Sequence, residues 1–370
     1  MSQNVFILGA GASKEAGAPV MADFLDKARE LYSNGEVEEF KEDFKIVFKA
    51  ISELQPIHSK SELDIYNIES VFAAFEMGKL INKLPGISNR KINKLIKSMR
   101  KVIYATLNKT TYLEVTRRFE PPQPNDSYNA LIKLIKDLNR QNSIDSSIIT
   151  FNYDLALDYS IYKHGLLVNY CLGENERESN INLMKLHGSL NWFAYLKKRI
   201  IIPLYFDVIL KDAGITEFFP HNAGDYYYFD PIKILSGVDF VYQGEKVKSE
   251  PFIVPPTWNK TEYHAGLSEV WSRAAVELSE AKNIFICGYS LSETDYFFRY
   301  LFALGTVGKT ILERLWVFDP NEEVKGRFIK FIGSGIKKRF EFKSLKFKDT
   351  IKYLRKIFLD NQNGPRIRVL

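Results

Sequence analysis

Five times along this chain of 370 residues a short apolar run stops at a small polar cluster. The runs are VFILGAGAS at 5–13, SSIITFNYD at 146–154, INLMKLHGS at 181–189, NIFICGYS at 283–290 and RLWVFDPN at 314–321. Each has the apolar, β-rich character of a buried strand. Toward the end of the chain such runs alternate with helix-period segments near 266–281, 295–304, 322–332 and 347–359. Strands alternating with helices build a parallel sheet covered on both faces. The expected class is α/β, with a Rossmann-like doubly wound, mostly parallel sheet. Ligands of such sheets sit at the carboxyl ends of the strands, where all five polar clusters fall.

Between the first and second runs, strand signals stop. After a helix expected near Ala22 to Tyr32, helical stripes follow: Phe44, Val47, Phe48 and Ile51, then Leu95, Ile96, Met99 and Ile103, then Leu131, Leu134 and Leu138. Pro56, Pro85 and the EPPQPND run at 120–126 punctuate them. A large helical insertion is expected at 33–142, with the sheet domain formed by 1–32 and 143–370. Residues 193–262 are rich in aromatic and β-branched side chains broken by Pro and Gly, and read as a small irregular β-rich module inside that domain.

Composition bounds the function. The two cysteines, Cys171 and Cys287, make no disulfide framework, and no apolar run approaches the length of a membrane span. With no signal-like start, a cytoplasmic setting is expected and a membrane partner is not. Net charge is +6, and the basic residues cluster: nine Lys or Arg and no acid from Met77 to Leu113, fourteen against five acids from Asn321 to Leu370. Solvated faces are the favoured reading of these stretches over nucleic-acid binding.

Each polar cluster has a structural reading beside the functional one. Asp154 caps the following helix or serves chemistry; His187 is a core histidine or a base; Asp319 to Asn321 make a turn or meet a ligand. Five such endings on one sheet edge point to a binding site at Gly9, Ala10, Gly11, Ala12 and Ser13 together with Asn152, Asp154, His187, Gly288, Ser290 and Asn321. A loop this bare brings backbone amides close to a ligand.

In this order, GAGAS, TFNYD, KLHGS, GYS and DPN resemble the sirtuin fold. They are most similar to the sirtuin-like NAD+-hydrolysing proteins of bacterial antiphage defence. The likeness covers the sheet strands, about half of the chain. Phe151 stands where the family often has glutamine, and Tyr289 stands where it has a middle Ser or Thr. The resemblance implies that NAD+ is bound as substrate. Gly9 to Ser13 would lie along its pyrophosphate, with Phe151, Gly288, Ser290 and Asn321 as further binding residues. It makes Asn152, Asp154 and His187 catalytic. Breaking the nicotinamide–ribose bond builds positive charge on the sugar, which a carboxylate and oriented amide dipoles stabilise. An imidazole suits proton transfer at neutral pH.

The deacylating sirtuins resemble one another in a zinc module of four cysteines. This chain has two, far apart, and its five histidines show no paired spacing, so no metal is expected. The expected activity is therefore an NAD+ glycohydrolase giving nicotinamide and ADP-ribose or its cyclic form. Two alternatives stand beside it: a deacylase or ADP-ribosyl transferase, and a catalytically silent nucleotide-sensing or nucleic-acid-binding subunit. The resemblance also implies a homo-oligomer and a restraining or triggering partner, such as a HerA-type ATPase, an Argonaute-like protein or a phage protein.

Overall fold

A computed structural model describes residues 3–58, 63–111, 126–142, 145–173, 179–195, 200–206, 240–242, 245–247, 251–254, 264–292 and 295–360. Much of the expected β-rich module at 193–262 lies outside the described residues, as does most of the EPPQPND run.

The chain opens with β1 (Asn4–Leu8), which runs into a single helical turn, α1 (Ala10–Ser13). Four helices follow: α2 (Phe24–Ser33), α3 (Lys41–His58), α4 (Ile68–Leu80) and α5 (Asn89–Thr110). Then come α6 (Asp126–Asn142), β2 (Ser146–Thr150), α7 (Ala156–Lys163), β3 (Val168–Asn169) and β4 (Ile181–Lys185). A small antiparallel region holds β5 (Gly188–Tyr195), β6 (Ile200–Pro203), β7 (Phe240–Tyr242), β8 (Glu245–Val247) and β9 (Pro251–Ile253). The last part alternates: α8 (His264–Glu280), β10 (Asn283–Cys287), α9 (Tyr296–Gly305), β11 (Arg314–Phe318), α10 (Glu323–Phe331), β12 (Phe340–Lys343) and α11 (Phe347–Phe358). Among the described residues no helix is long and apolar enough to cross a membrane.

Seven strands form one sheet in the order β12-β11-β10-β1-β2-β4-β3, parallel at every pairing. Every residue of β1, β2 and β10 is buried, although alternate side chains point to opposite faces. Both faces are therefore covered. On one, α6 packs against α7 and α11; on the other, α8 packs against α9. The chain winds from β1 outward through β2, then crosses back to β10 on the other side of β1. The topological switch point lies beside β1.

The helices α2 to α5 build a second hydrophobic core, with Phe24, Phe44, Phe72 and Met99 buried in it. That core also takes Tyr153 and Tyr159, and Leu190 and Phe193 of β5, so the helical module is welded to the sheet domain. Helix α2 belongs to the second core, whereas α6 feeds β2 and packs on the sheet. There Tyr128 meets Phe347 edge-on at 5.4 Å, and Asp137 pairs with Arg355 at 2.8 Å. A crossover helix has to lie on the sheet it connects. The basic run of α5 faces solvent: Arg90, Lys91, Lys94, Lys97 and Lys101 are exposed, and Lys101 pairs with Asp43 at 3.2 Å.

The turn after β1 presses against the one after β10. Gly9 donates its amide to Cys287 O at 3.1 Å, and Gly11 donates to Gly288 O at 2.9 Å. A Cβ on Gly9 would lie 2.5 Å from Gly288 O, and one on Gly288, whose φ is +62°, would lie 2.6 Å from Ala12 N. These glycines are required by backbone meeting backbone, whatever ligand is bound. Gly9→Ala and Gly288→Ala are each expected to cost about 1–3 kcal/mol. Thermal unfolding checks this, with Gly326→Ala as control, because a Cβ there meets nothing within 4 Å.

Candidate active site

In sheet order β11, β10, β1, β2 and β4, five adjacent strands end in Asp319–Asn321, Gly288–Ser290, Gly9–Ser13, Phe151–Asp154 and Leu186–Gly188. The middle of this edge is tied together by Asn152. Its Nδ2 donates to Gly9 O at 2.9 Å and to Ser13 Oγ at 2.8 Å, with Tyr128 OH at 3.4 Å. A carbonyl such as Gly9 O can only accept, so the amide orientation is determined. The opposite atom, Asn152 Oδ1, takes no hydrogen bond among the described residues, and Asn152 is one of the residues lining a pocket. Ser13 Oγ and Tyr128 OH share a hydrogen bond of 2.6 Å.

Asp154 is fully buried. Its Oδ1 accepts from Ala156 N at 3.1 Å, a turn just ahead of α7, whose N-cap residue is Leu155. Burial pushes its carboxyl above the usual carboxylate range; the Lys185 charge and a hydrogen bond from Ser13 pull it back. The Tyr128 phenol is pushed well above its ordinary value, first by burial and then by the Asp154 charge, so it stays protonated.

The pocket in front of Asn152 and Asp154 lies between the two cores. Ala10, Ser13, Phe151 and Tyr153 line it from the sheet side; Phe24, Ile68, Glu69, Phe72, Ile103 and Leu107 line it from the helical module. Phe151 stacks on Tyr289, with ring centroids 4.2 Å apart and planes 8° from parallel. Tyr289 is held in turn by a 2.8 Å bond from its hydroxyl to Asp295 Oδ2.

His187 is buried and packs against this wall, and it is not among the residues lining the pocket. Its ring lies edge-on to Phe151 at 5.3 Å and 6.2 Å from Tyr153. Its carbonyl accepts Val254 N at 2.8 Å, and a Cβ on Gly188 (φ +87°) would clash with Phe252 O. Ser290 and Asn321 stand apart from the Asn152 cluster. Ser290 O accepts from Arg327 at 3.1 Å. Asn321 N donates to Asp319 Oδ1 at 2.8 Å, and Asn321 Oδ1 accepts Glu323 N at 3.0 Å, so these two side chains turn the chain into α10. The Gly9 and Gly11 amides, already donated to Cys287 and Gly288, are not free for an anion. The small residues there supply room rather than donors.

Two groups escaped the sequence reading. Tyr128 lies on a helix with no motif to mark it. Lys185 is 1% exposed and pairs with the equally buried Asp158 at 2.9 Å. Its trace in the sequence is a lone charge inside the apolar run NLMKLHG. Asp158 also accepts from Tyr170 OH at 2.6 Å, and Asn191 Nδ2 donates to that hydroxyl at 3.0 Å.

The fold and the pocket define a doubly wound α/β protein with a mostly apolar pocket at the carboxyl ends of β1 and β2. No protein-family model matches the chain, and no curated protein matches it. Solved structures similar to it include a Sir2 homologue in complex with NAD (13% identity, 96% of this chain and 91% of that one, TM-score 0.42). Another is a Sir2 homologue variant in complex with ADP-ribose (13%, 98% and 95%, TM-score 0.41). A third is a Sir2 protein bound to a propionylated peptide (10%, 96% and 92%, TM-score 0.37). Values this low transfer no ligand, residue role or activity to this chain.

A carboxyl held above its usual range destabilises the fold when it ionises. Asp154→Asn keeps the shape and the turn but cannot ionise. Its stability relative to the parent is expected to climb as pH rises above about 3.8, the ordinary aspartate value, and to level off above the raised one. Thermal melts across pH 3 to 8, at about half-unit steps, check this sign.

Proposed function

We propose that this chain is an NAD+ glycohydrolase. The observation that carries the reading is that an amide residue, Asn152, and a carboxyl residue, Asp154, line one pocket side by side with apolar walls. The residues suit a planar ring bearing a carboxamide. Asn152 Oδ1 can accept an amide N–H, and the walls are aromatic and aliphatic. Asp154 is placed to offset positive charge as the bond to the ring breaks, and in a dry pocket that interaction is strong. Gly9 to Ser13 leave space for the pyrophosphate, and His187 receives the proton from water or a ribose hydroxyl. Phe151, Gly288, Ser290 and Asn321 extend the binding edge toward the adenosine end.

Water as acceptor is supported by the want of a four-cysteine zinc set in the sequence. The motif resemblance supports a role in antiphage defence, with NAD+ depletion released by a partner protein and carried out by an oligomer in the cytoplasm.

The test is nicotinamide release from NAD+, followed by chromatography with the protein alone and with the product of its neighbouring gene. Asn152→Ala is expected to lower turnover by at least about 10²-fold and His187→Ala by about 10²–10⁴-fold. Melting temperatures are read alongside, because Asn152 also holds the Gly9 turn. Chelators are expected to leave the rate unchanged. Both variants releasing nicotinamide at the parent's rate overturns the assignment. Calorimetric NAD+ binding without release in either setting would favour a sensor.

A further inference from the structure

The buried ammonium of Lys185 has no part in the chemistry above, yet it is an expensive group to place. Removing a lysine and an aspartate from water costs several kcal/mol per ion, and apolar side chains of similar volume are often as stable or more so. Here the pair is complete. Lys185 Nζ donates to Asp158 Oδ2 at 2.9 Å and to the backbone carbonyl of Asp154 at 2.7 Å. Asp158 is secured from behind by Tyr170, and Tyr170 by Asn191, whose Oδ1 accepts from Ser189 Oγ at 2.6 Å. The ammonium thus holds the backbone of Asp154, a residue that lines the pocket beside Asn152.

We propose that Lys185 is a positioning residue for the pocket: it anchors the chain at Asp154 and sets the electrostatic field in which the Asp154 carboxylate works. This rests on the pocket being the site of the proposed reaction. Asp154 is faced by Lys185 from β4, by Asp158 from its own helix and by Tyr128 from α6, while Glu69 of α4 lines the same pocket. Tyr128 is neutral, and Asp158 repels, so Lys185 is the cation that favours the ionised form of Asp154 against its burial. Its opposition to burial ranks ahead of the repulsion from Asp158.

The experiment uses four full-length proteins: parent, Asp154→Asn, Lys185→Gln, and both together. Glutamine still donates to the Asp154 carbonyl but carries no charge. The stability gap produced by Asp154→Asn is read against pH in each background. With Lys185→Gln the gap is expected to grow and to level off about one pH unit higher or more. The acid limb of nicotinamide release moves up with it. Where Lys185→Gln does not fold, Lys185→Met with Asp158→Leu removes both charges, and the upward displacement is again expected. A plateau that stays at the parent's pH overturns the inference. Nicotinamide release that survives Asp154→Asn overturns the functional reading instead, because the melts judge Lys185 without reference to turnover.

Discussion

Gly11 donates its amide to Gly288 O across a gap too narrow for a Cβ on either residue. That approach of two backbones holds the carboxyl edge of the sheet together. It fixes the turn after β1, and through the turn it fixes the Gly9 carbonyl and the Ser13 hydroxyl. Those two atoms hold the Asn152 amide, and the amide's orientation leaves Oδ1 without a partner among the described residues. A pocket residue is therefore aimed by a contact between glycines on two other strands.

The strand endings were legible because a parallel sheet demands them. Strands buried on both faces read as unbroken apolar runs, and their polar ends stand out. The helical stripes were legible for the same reason, as in α5, where Leu95, Ile96 and Met99 are buried beside exposed Lys91, Lys94 and Lys97. Packing partners were not. Periodicity shows that α6 has an apolar face but not which surface receives it, so only the structure puts Tyr128 beside Ser13. The spacing at Gly9 and Gly11 signals a backbone approach without saying to what, and the approach is to Gly288. Asp319 and Asn321 are polar for the sake of a turn and a cap.

Lys185 shows a different limit. A charge in an apolar run is visible in any sequence, but its meaning depends on residues from α7 and the two residues ahead of it. Asp154 and Asp158 lie one helical turn apart, so a single ammonium from the neighbouring strand reaches the carbonyl of one and the carboxylate of the other. The arrangement needs the sheet register of β2 and β4 before it exists.

The pocket's position between two hydrophobic cores has a thermodynamic consequence. One core belongs to the sheet and the other to the helical module, and Tyr153, Tyr159, Leu190 and Phe193 join the second core from the sheet domain. A molecule filling the seam contacts both, so its binding energy is gained only while both are intact. Occupancy then acts as mortar, adding its own contacts to the core residues that already join the two.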